Sequence, residues 1–309
     1  MRILICSDIE GASSVNNYQQ IAPFWGQGYE ECIRAITNDI NSVIRGLRKS
    51  GAAIIDIFDG HGDGGNLRQE MIEGDATIIK KDAIGLAEGN YDAVLLVGQH
   101  ACAGTVDGFL SHTGGTDYAI SINGKPTGEV ANWAWLFGSY NIPVIMVTGD
   151  DATIREAKSL LPGIEGVIVK KSKTRLETEC LSVTEVSKEI EEIAFSSLQR
   201  IKDFEPYKVE TPIKLEVKFT HSGMAQMMQF YIPNCTLIGN DTISFKANVY
   251  RDIYKATLSA NLIASTFFTQ SIIAEAYQIN GVAEFLQNTF IRKIENWAIQ
   301  KSPLPVVKY

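Results

Sequence analysis

Short apolar runs alternate with longer segments of helical periodicity through the first 170 residues of the chain. The run Ala93–Val97 is apolar throughout, which is typical of a strand buried on both faces. The other runs of strand character are one that starts at Arg2 and ends in Asp8 and Glu10, then Ile54–Phe58, Pro143–Thr148 and Gly166–Lys170. Strands that alternate with helices predict an α/β fold, a mostly parallel sheet with helices on both faces.

The segments between these runs show the spacing of amphipathic helices. In Tyr29–Lys49 the apolar residues recur every three or four positions and form one stripe, which Gly51 ends. They are Cys32, Ile33, Ile36, Ile40, Val43, Ile44 and Leu47. Further helices are predicted over Glu129–Tyr140, over Val183–Ile201, and from Asp151, the expected N-cap, to Leu161.

The second part of the chain has a different pattern, and its boundary lies near Asp203–Thr211. The elements predicted beyond it are strands Ile213–Thr220 and Thr242–Val249 and helices Met224–Phe230 and Arg251–Phe268. We therefore expect an α/β domain over residues 1–205 and a smaller α+β domain over residues 206–309. After Thr269 we expect a helical C-terminal extension that finishes in an extended tail at Ser302–Pro305. In the first domain, Asn123-Gly124 predicts a hairpin turn after Tyr118–Ile122.

Composition and charge narrow the class of protein. With 36 acidic and 28 basic residues, the net charge of −8 argues against binding a nucleic-acid backbone. No apolar run approaches the roughly 20 residues that cross a bilayer, and Asp8 and Glu10 interrupt the apolar start of the chain too early for a secretory signal. The 5 cysteines are scattered and form no Cys-x-x-Cys pair. We expect a soluble protein with free thiols in a reducing cytoplasm.

Two carboxylates, Asp8 and Glu10, come one residue apart at the end of the first predicted strand. Successive side chains of a strand alternate between faces, so both carboxylates are expected on one side while Ile9 returns to the core. Like charges that are pressed together favour a proton or a cation between them. The pair alone is a weak signal, because acids are also common as caps and turn formers.

Two histidines strengthen this signal, since His61 and His100 each follow directly on a predicted parallel strand. In open α/β sheets that edge is where ligands bind. Taken singly, each histidine is better explained as a hydrogen-bonded loop residue than as a ligand. Taken together with Asp8 and Glu10, they predict a metal site. Imidazole and carboxylate ligands without thiolate suit an open, catalytic zinc site, or manganese or cobalt.

Two further residues have simple structural interpretations on pattern alone. His112 lies in a glycine-containing loop and is compatible with an exposed polar residue. Glu129 opens a predicted helix, where an acid complements the helix dipole, and that capping role is the preferred interpretation. Cys102 follows His100 closely but lacks a partner cysteine, which favours a buried thiol over a nucleophile.

Several short motifs occur together in a fixed order. They are Ser7–Gly11, Asp59–His61, Gly98–Ala101, Ser111–His112, Lys125–Glu129 and Val147–Asp151, with Phe219–Asn234 in the second domain. In order and approximate spacing this set resembles the zinc-dependent D-aminopeptidases of the DppA type, peptidase family M55. The resemblance covers residues 1–265, and the stretch after Thr269 has no counterpart. The loop from His100 to His112 departs from the family pattern, which bears on substrate preference.

The resemblance implies a two-zinc site. Asp8 would bridge the ions, Glu10 and His61 would complete one site, and His100 and Glu129 the other. His112 would be the catalytic side chain, and this implied role of Glu129 overrules the capping interpretation. The expected reaction is hydrolysis of the N-terminal residue, a D-amino acid such as D-Ala, from short peptides or aminoacyl amides.

The resemblance also implies a homo-oligomer, a decamer of stacked rings with the sites facing an inner channel. Residues 206–309 are then expected to serve oligomerisation and the channel. Two other functions stay open at this point: another binuclear metallohydrolase, a phosphoesterase or amidohydrolase, and a non-enzymatic small-molecule-binding protein. The phosphoesterase lacks support, because no glycine-rich phosphate loop or Arg/Lys clamp accompanies the predicted site.

Overall fold

Two β-sheets and seven α-helices make up the computed structural model, which describes residues 1–279 and residues 281, 282, 284, 285, 287, 288 and 291. The strands are β1 Arg2–Ser7, β2 Ile54–Asp59, β3 Thr77–Ile79, β4 Ala93–Gln99, β5 Tyr118–Ile122, β6 Lys125–Thr127, β7 Val144–Asp150, β8 Glu165–Ser172, β9 Thr178–Cys180, β10 Ile213–Phe219, β11 Thr236–Leu237 and β12 Thr242–Ala247. The helices are α1 Gln27–Lys49, α2 Ala83–Ala87, α3 Glu129–Ser139, α4 Asp151–Leu160, α5 Val183–Gln199, α6 Ser222–Tyr231 and α7 Tyr250–Ala276.

The larger sheet has the strand order β3-β2-β1-β4-β7-β8-β9. All its neighbouring strands are parallel except β8 and β9, which are antiparallel. Strand β1 lies at the centre, and Ile5 pairs with Ile57 of β2 and with Leu95 of β4. The carboxyl ends of β1, β2 and β4 therefore meet at one edge, as the sequence predicts.

The core lies on both faces of this sheet. Leu4 and Cys6 of β1 belong to one hydrophobic cluster, and Ile3 and Ile5 belong to the other. The predicted stripe of α1, from Cys32 to Leu47, is fully buried in the second cluster. The predicted α/β class with helices on both faces is confirmed.

The second sheet is antiparallel and has the order β11-β12-β10-β5-β6. The hairpin at Asn123-Gly124 is as predicted, and both residues have positive φ (50° and 79°). Its partner in this sheet is β10, since Ile120 pairs with Val217. The domain boundary at residue 205 stays a prediction. The pairing of β5 with β10 joins residues from the two sides of this boundary.

Some details differ from the sequence-based expectations. Asp150, not Asp151, is the N-cap of α4, because its carboxylate accepts a hydrogen bond from the backbone N–H of Thr153. The short elements β3, α2, β9 and β11 have too few residues to show a period and were not predicted. The predicted tail at Ser302–Pro305 lies outside the described residues, and no helix of the described part is long and apolar enough to cross a membrane.

Candidate metal centre

Asp8 and Glu10 lie in a turn just past the end of β1, which corrects the expectation that they belong to the strand itself. The backbone N–H of Asp8 donates to Val97 O (2.8 Å), and the N–H of Gly11 donates to Gly98 O (2.8 Å). The turn is therefore fastened to β4. Ile9 is fully buried, and both carboxylates point to one side, as predicted.

His61 occupies the turn that follows β2. The Asp59 carboxylate fixes this turn by accepting hydrogen bonds from the backbone N–H groups of Asn66 (2.5 Å) and Leu67 (3.0 Å). Nδ1 of His61 lies 3.2 Å from Asp8 Oδ1 and 3.2 Å from Glu10 Oε2. Its Nε2 lies 3.0 Å from Ile21 O.

His100 and Glu129 form the other half of the centre. His100 follows β4, and its Nε2 lies 3.3 Å from Asp8 Oδ2 and 3.4 Å from Glu129 Oε1. Glu129 is the first residue of α3, and its Oε1 also accepts a hydrogen bond from Gly114 N (2.6 Å). The helix therefore presents this carboxylate to the centre, and Gly114 is a contact that sequence reasoning missed.

His112 lies against His100, and this contact brings the loop residue to the centre. The two imidazole rings stack with centroids 3.9 Å apart and planes 11° from parallel. Nδ1 of His112 lies 2.7 Å from Leu110 O. Ligand atoms of His100, His112 and Glu129 all lie within 4.8 Å of one another, as do those of Asp8, Glu10 and His100.

Negative charge dominates the electrostatics of the centre. Burial lowers the pKa of His61, but the charges of Glu10 and Asp8 outweigh it and raise that pKa to about 11. The pKa of His100 is raised well above its ordinary value, because Glu129 and Asp8 outweigh the same penalty of burial. Burial raises the pKa of Asp8, yet the close approach and positive charge of the His100 and His61 rings hold it well below its usual range. The carboxylates thus favour two positive charges between them.

Unpartnered buried atoms test whether a metal ion fits this centre. Glu10 Oε2 and His100 Nε2 are buried without a hydrogen-bond partner, although oppositely charged groups lie within 3.4 Å. Buried polar atoms are normally hydrogen-bonded, so atoms that converge without bonding indicate a shared cation. Each of the three rings also has its other nitrogen on a backbone carbonyl, which orients metal-ligating histidines in proteins. The donor set fits zinc.

The other residues that the sequence singled out have structural roles. Asp150 caps α4, and its second oxygen accepts a hydrogen bond from Phe109 N (2.8 Å). Cys102 is buried, and burial raises the pKa of its thiol to about 11, which agrees with an inert thiol. Neither residue belongs to the metal centre.

A cleft of about 880 Å³ opens beside the centre. Glu10 and His112 line its inner end, and Ala103 and Gly104 contribute the unusual loop between His100 and His112. The second sheet and α7 form the outer walls through Lys218, Phe219, Ala264 and Phe268. The cleft is large enough for a ligand of several residues.

Comparison with known proteins relates most of the chain to enzymes of one kind. The chain is 27% identical to a D-aminopeptidase of Bacillus subtilis (strain 168) over 266 residues, which are 84% of this chain and 96% of the relative. A solved structure, described as the Zn-dependent D-aminopeptidase DppA from Bacillus subtilis, a self-compartmentalizing protease, matches with a TM-score of 0.79 and 27% identity. That match covers 86% of this chain and 98% of the other. The model of the peptidase family M55, D-aminopeptidase, matches residues 1–259, and the chain belongs to this family.

Proposed function

We propose that this protein is a metal-dependent aminopeptidase that removes the N-terminal residue, a D-amino acid such as D-Ala, from short peptides or amides. The observation that carries the proposal is the way Asp8 divides the centre. Its Oδ1 faces His61, which also contacts Glu10, and its Oδ2 faces His100, which also contacts Glu129. One carboxylate thus contacts both histidines, one through each of its oxygens.

Two zinc ions would be held by this arrangement. Asp8 would be shared by both ions, Glu10 and His61 would complete one site, and His100 and Glu129 would complete the other. When bound, the pair supplies a hydroxide nucleophile at neutral pH and polarises the scissile carbonyl. Manganese or cobalt would suit the same oxygen and nitrogen donors. Zinc is favoured because the solved relative is described as Zn-dependent.

His112 is the proposed catalytic side chain. With its Nδ1 held by the Leu110 carbonyl, the second ring nitrogen is available to the cleft that His112 lines. From there it passes a proton to the leaving amine or stabilises the oxyanion of the tetrahedral intermediate. The stack on His100 fixes the ring plane, so the proton reaches a defined position.

Access to the centre is proposed to be restricted by assembly. The solved relative is described as self-compartmentalizing, and we infer a homo-oligomer for this chain, with the decamer as the specific expectation. Residues 206–309 are expected to contribute to subunit contacts and to a substrate channel. Such a channel would admit short peptides and exclude folded proteins. The cytoplasmic location stays a prediction.

The decisive experiment combines substrate choice with metal removal. We expect the zinc-loaded protein to release p-nitroaniline from D-alanyl p-nitroanilide faster than from the L-isomer and to leave p-nitrophenyl phosphate intact. Exhaustive chelation should abolish this activity, and zinc should restore it. Full activity after chelation would contradict the metal mechanism, and preferential phosphate release would identify a phosphoesterase.

A further inference from the structure

A fully buried lysine lies beneath the turn that carries Glu10. Lys170 comes from β8, and its Nζ donates to three backbone carbonyls: Glu10 O at 2.5 Å, Ala12 O at 3.0 Å and Val15 O at 2.6 Å. An ammonium group has three N–H donors and no acceptor. Its hydrogen-bonding capacity is therefore completely used by one short segment of chain, 155 to 160 positions away in sequence.

This arrangement is unusual for a buried lysine, because such residues normally pair with a carboxylate. Within the described part of the chain, no carboxylate oxygen lies within 4 Å of its Nζ. The ring of Phe109 also lies beside the charge, with its centroid 4.9 Å from Nζ. The Lys170 ammonium group thus binds backbone oxygens, and the carboxylates of the centre bind other partners.

The turn is also fastened to β4 through the N–H groups of Asp8 and Gly11, but these bonds leave the carbonyls of Glu10, Ala12 and Val15 to Lys170. Its internal backbone bonds are those of Ala12 N to Ile9 O (3.1 Å) and Val15 N to Ala12 O (3.3 Å). On its other side the Asp39 carboxylate accepts hydrogen bonds from the backbone N–H and the hydroxyl of Ser13, both at 2.7 Å. Lys170 is thus the group that gathers the carbonyls of the turn, and one of these belongs to a predicted metal ligand.

We propose that Lys170 is a positioning residue of the metal centre, and that it sets the direction of the Glu10 carboxylate by holding the carbonyl of the same residue. The inference rests on the proposed function, since it takes Glu10 as a zinc ligand. Groups that orient metal ligands in this indirect way change metal affinity on the order of 10- to 100-fold when they are removed.

We expect substitution of Lys170 to change zinc affinity only at the half of the centre that contains Glu10 and His61. Lys170 contacts the turn with Glu10, whereas His100 and Glu129 are carried by β4 and α3, which make no hydrogen bond to its ammonium. Lys170→Met should therefore lower the affinity for the zinc ion at Glu10 and His61 on the order of 10- to 100-fold. The other zinc ion should keep its affinity. Turnover should fall through kcat more than through KM, because the cleft itself is unchanged.

A double-mutant cycle tests whether Lys170 acts through Glu10. Zinc dissociation constants are measured by competition with a chromophoric chelator for Lys170→Met, Glu10→Gln and the double variant. We expect Lys170→Met to add little to the loss of zinc affinity that Glu10→Gln already causes. Combined with Glu129→Gln, it should add its full effect to the loss of zinc affinity. Full additivity with Glu10→Gln, or unchanged affinity for both ions in a folded Lys170→Met protein, would overturn the proposal.

Val167→Ala is the matched control for lost stability, since Val167 is a fully buried residue of the same strand. It should lower the melting temperature without changing either zinc affinity. If Lys170→Met does not fold, Lys170→Gln retains two N–H donors and gives the same comparison. A wild-type protein that binds fewer than two zinc ions would contradict the binuclear proposal; if Lys170→Met then left the affinity of the single site unchanged, the role of Lys170 would be overturned as well.

Discussion

The histidines of the centre share one arrangement at the scale of the single residue. In His61, His100 and His112, one ring nitrogen lies within 3.1 Å of a backbone carbonyl, and this fixes which nitrogen carries the proton. The remaining nitrogen of His61 and of His100 faces carboxylates. His112 differs, because its closest ring neighbour is another histidine and it lines the cleft. The same hydrogen-bonding arrangement is therefore found in the two histidines proposed as ligands and in the one proposed as an acid–base group.

His112→Ala separates the two roles that this geometry allows. We expect kcat to fall about 10²- to 10⁴-fold, the range for loss of a general acid or base, while both zinc ions stay bound. Elemental analysis and steady-state kinetics on the same preparation measure both quantities. His221→Ala is the control, because His221 caps α6 by accepting a hydrogen bond from the N–H of Gly223 (3.0 Å) and does not belong to the metal centre. Loss of a zinc ion in His112→Ala would make His112 a ligand instead.

Residues differ in how far the sequence alone identifies them. His61 and His100 were predictable because each directly follows an apolar strand, so topology places them without knowledge of distant contacts. Glu129 was not, because an acid at the start of a helix looks like a cap, and only the family resemblance gave it another role. Lys170 gave no signal, since its three partners are backbone carbonyls that no side-chain pattern records.

At the scale of elements, α4 supports the half of the centre that Lys170 does not reach. Glu156 of α4 accepts a hydrogen bond from the N–H of Cys102 (2.7 Å) through its Oε2. Its Oε1 lies close to Gly128, the residue before Glu129, so that a Cβ on Gly128 would lie 2.5 Å from it. The helix therefore packs between the segments that carry His100 and Glu129.

Gly128→Ala tests this packing. The backbone of Gly128 is extended, so alanine is not strained there, but its methyl group would also meet the Cα of Cys102 at 3.1 Å. We expect a stability loss of about 1–3 kcal/mol, the usual cost of overpacking, and weaker zinc binding at His100 and Glu129. Urea denaturation and zinc titration measure the two effects. Gly239→Ala, where the nearest atom lies at 3.9 Å, should change neither; equal effects in both variants would refute the packing argument.

Elements were also predictable to different degrees. The hairpin β5–β6 was predicted, because Asn-Gly between two short runs specifies its turn locally. Its pairing with β10 was not, because the register of Ile120 with Val217 joins residues almost a hundred positions apart and leaves no periodic mark in either strand. This pairing means that strands from both halves of the chain form the second sheet.

At the scale of the whole molecule, the cleft is closed by a part of the chain that the family model does not match. That match ends at residue 259, and α7 continues to Ala276. Phe268 of α7 lines the cleft together with Ala264 and Thr269, opposite the loop that contains His112. This wall limits the space next to the metal centre, so α7 is expected to influence which N-terminal residues fit.

Phe268→Ala should widen the cleft without touching the metal ligands. We expect kcat/KM for D-phenylalanyl p-nitroanilide to rise about 10-fold relative to D-alanyl p-nitroanilide, a change typical of altered apolar pockets. Leu262→Ala is the control, because Leu262 is 70% exposed on the same helix and does not line the cleft. Size-exclusion chromatography verifies that both variants keep their assembly. An equal change in both variants would show that α7 acts through assembly rather than through the cleft.

The proposed ligands of the metal centre are spread along the chain from Asp8 to Glu129, and Asp8 and His61 alone are 53 positions apart. No short stretch of sequence carries a complete set of donors, and a preformed metal site rarely exists before a chain folds. A chain still emerging during synthesis, or a fragment left after breakdown, therefore has no hydrolytic power. The ability to hydrolyse a substrate therefore arises only when folding brings these dispersed residues together.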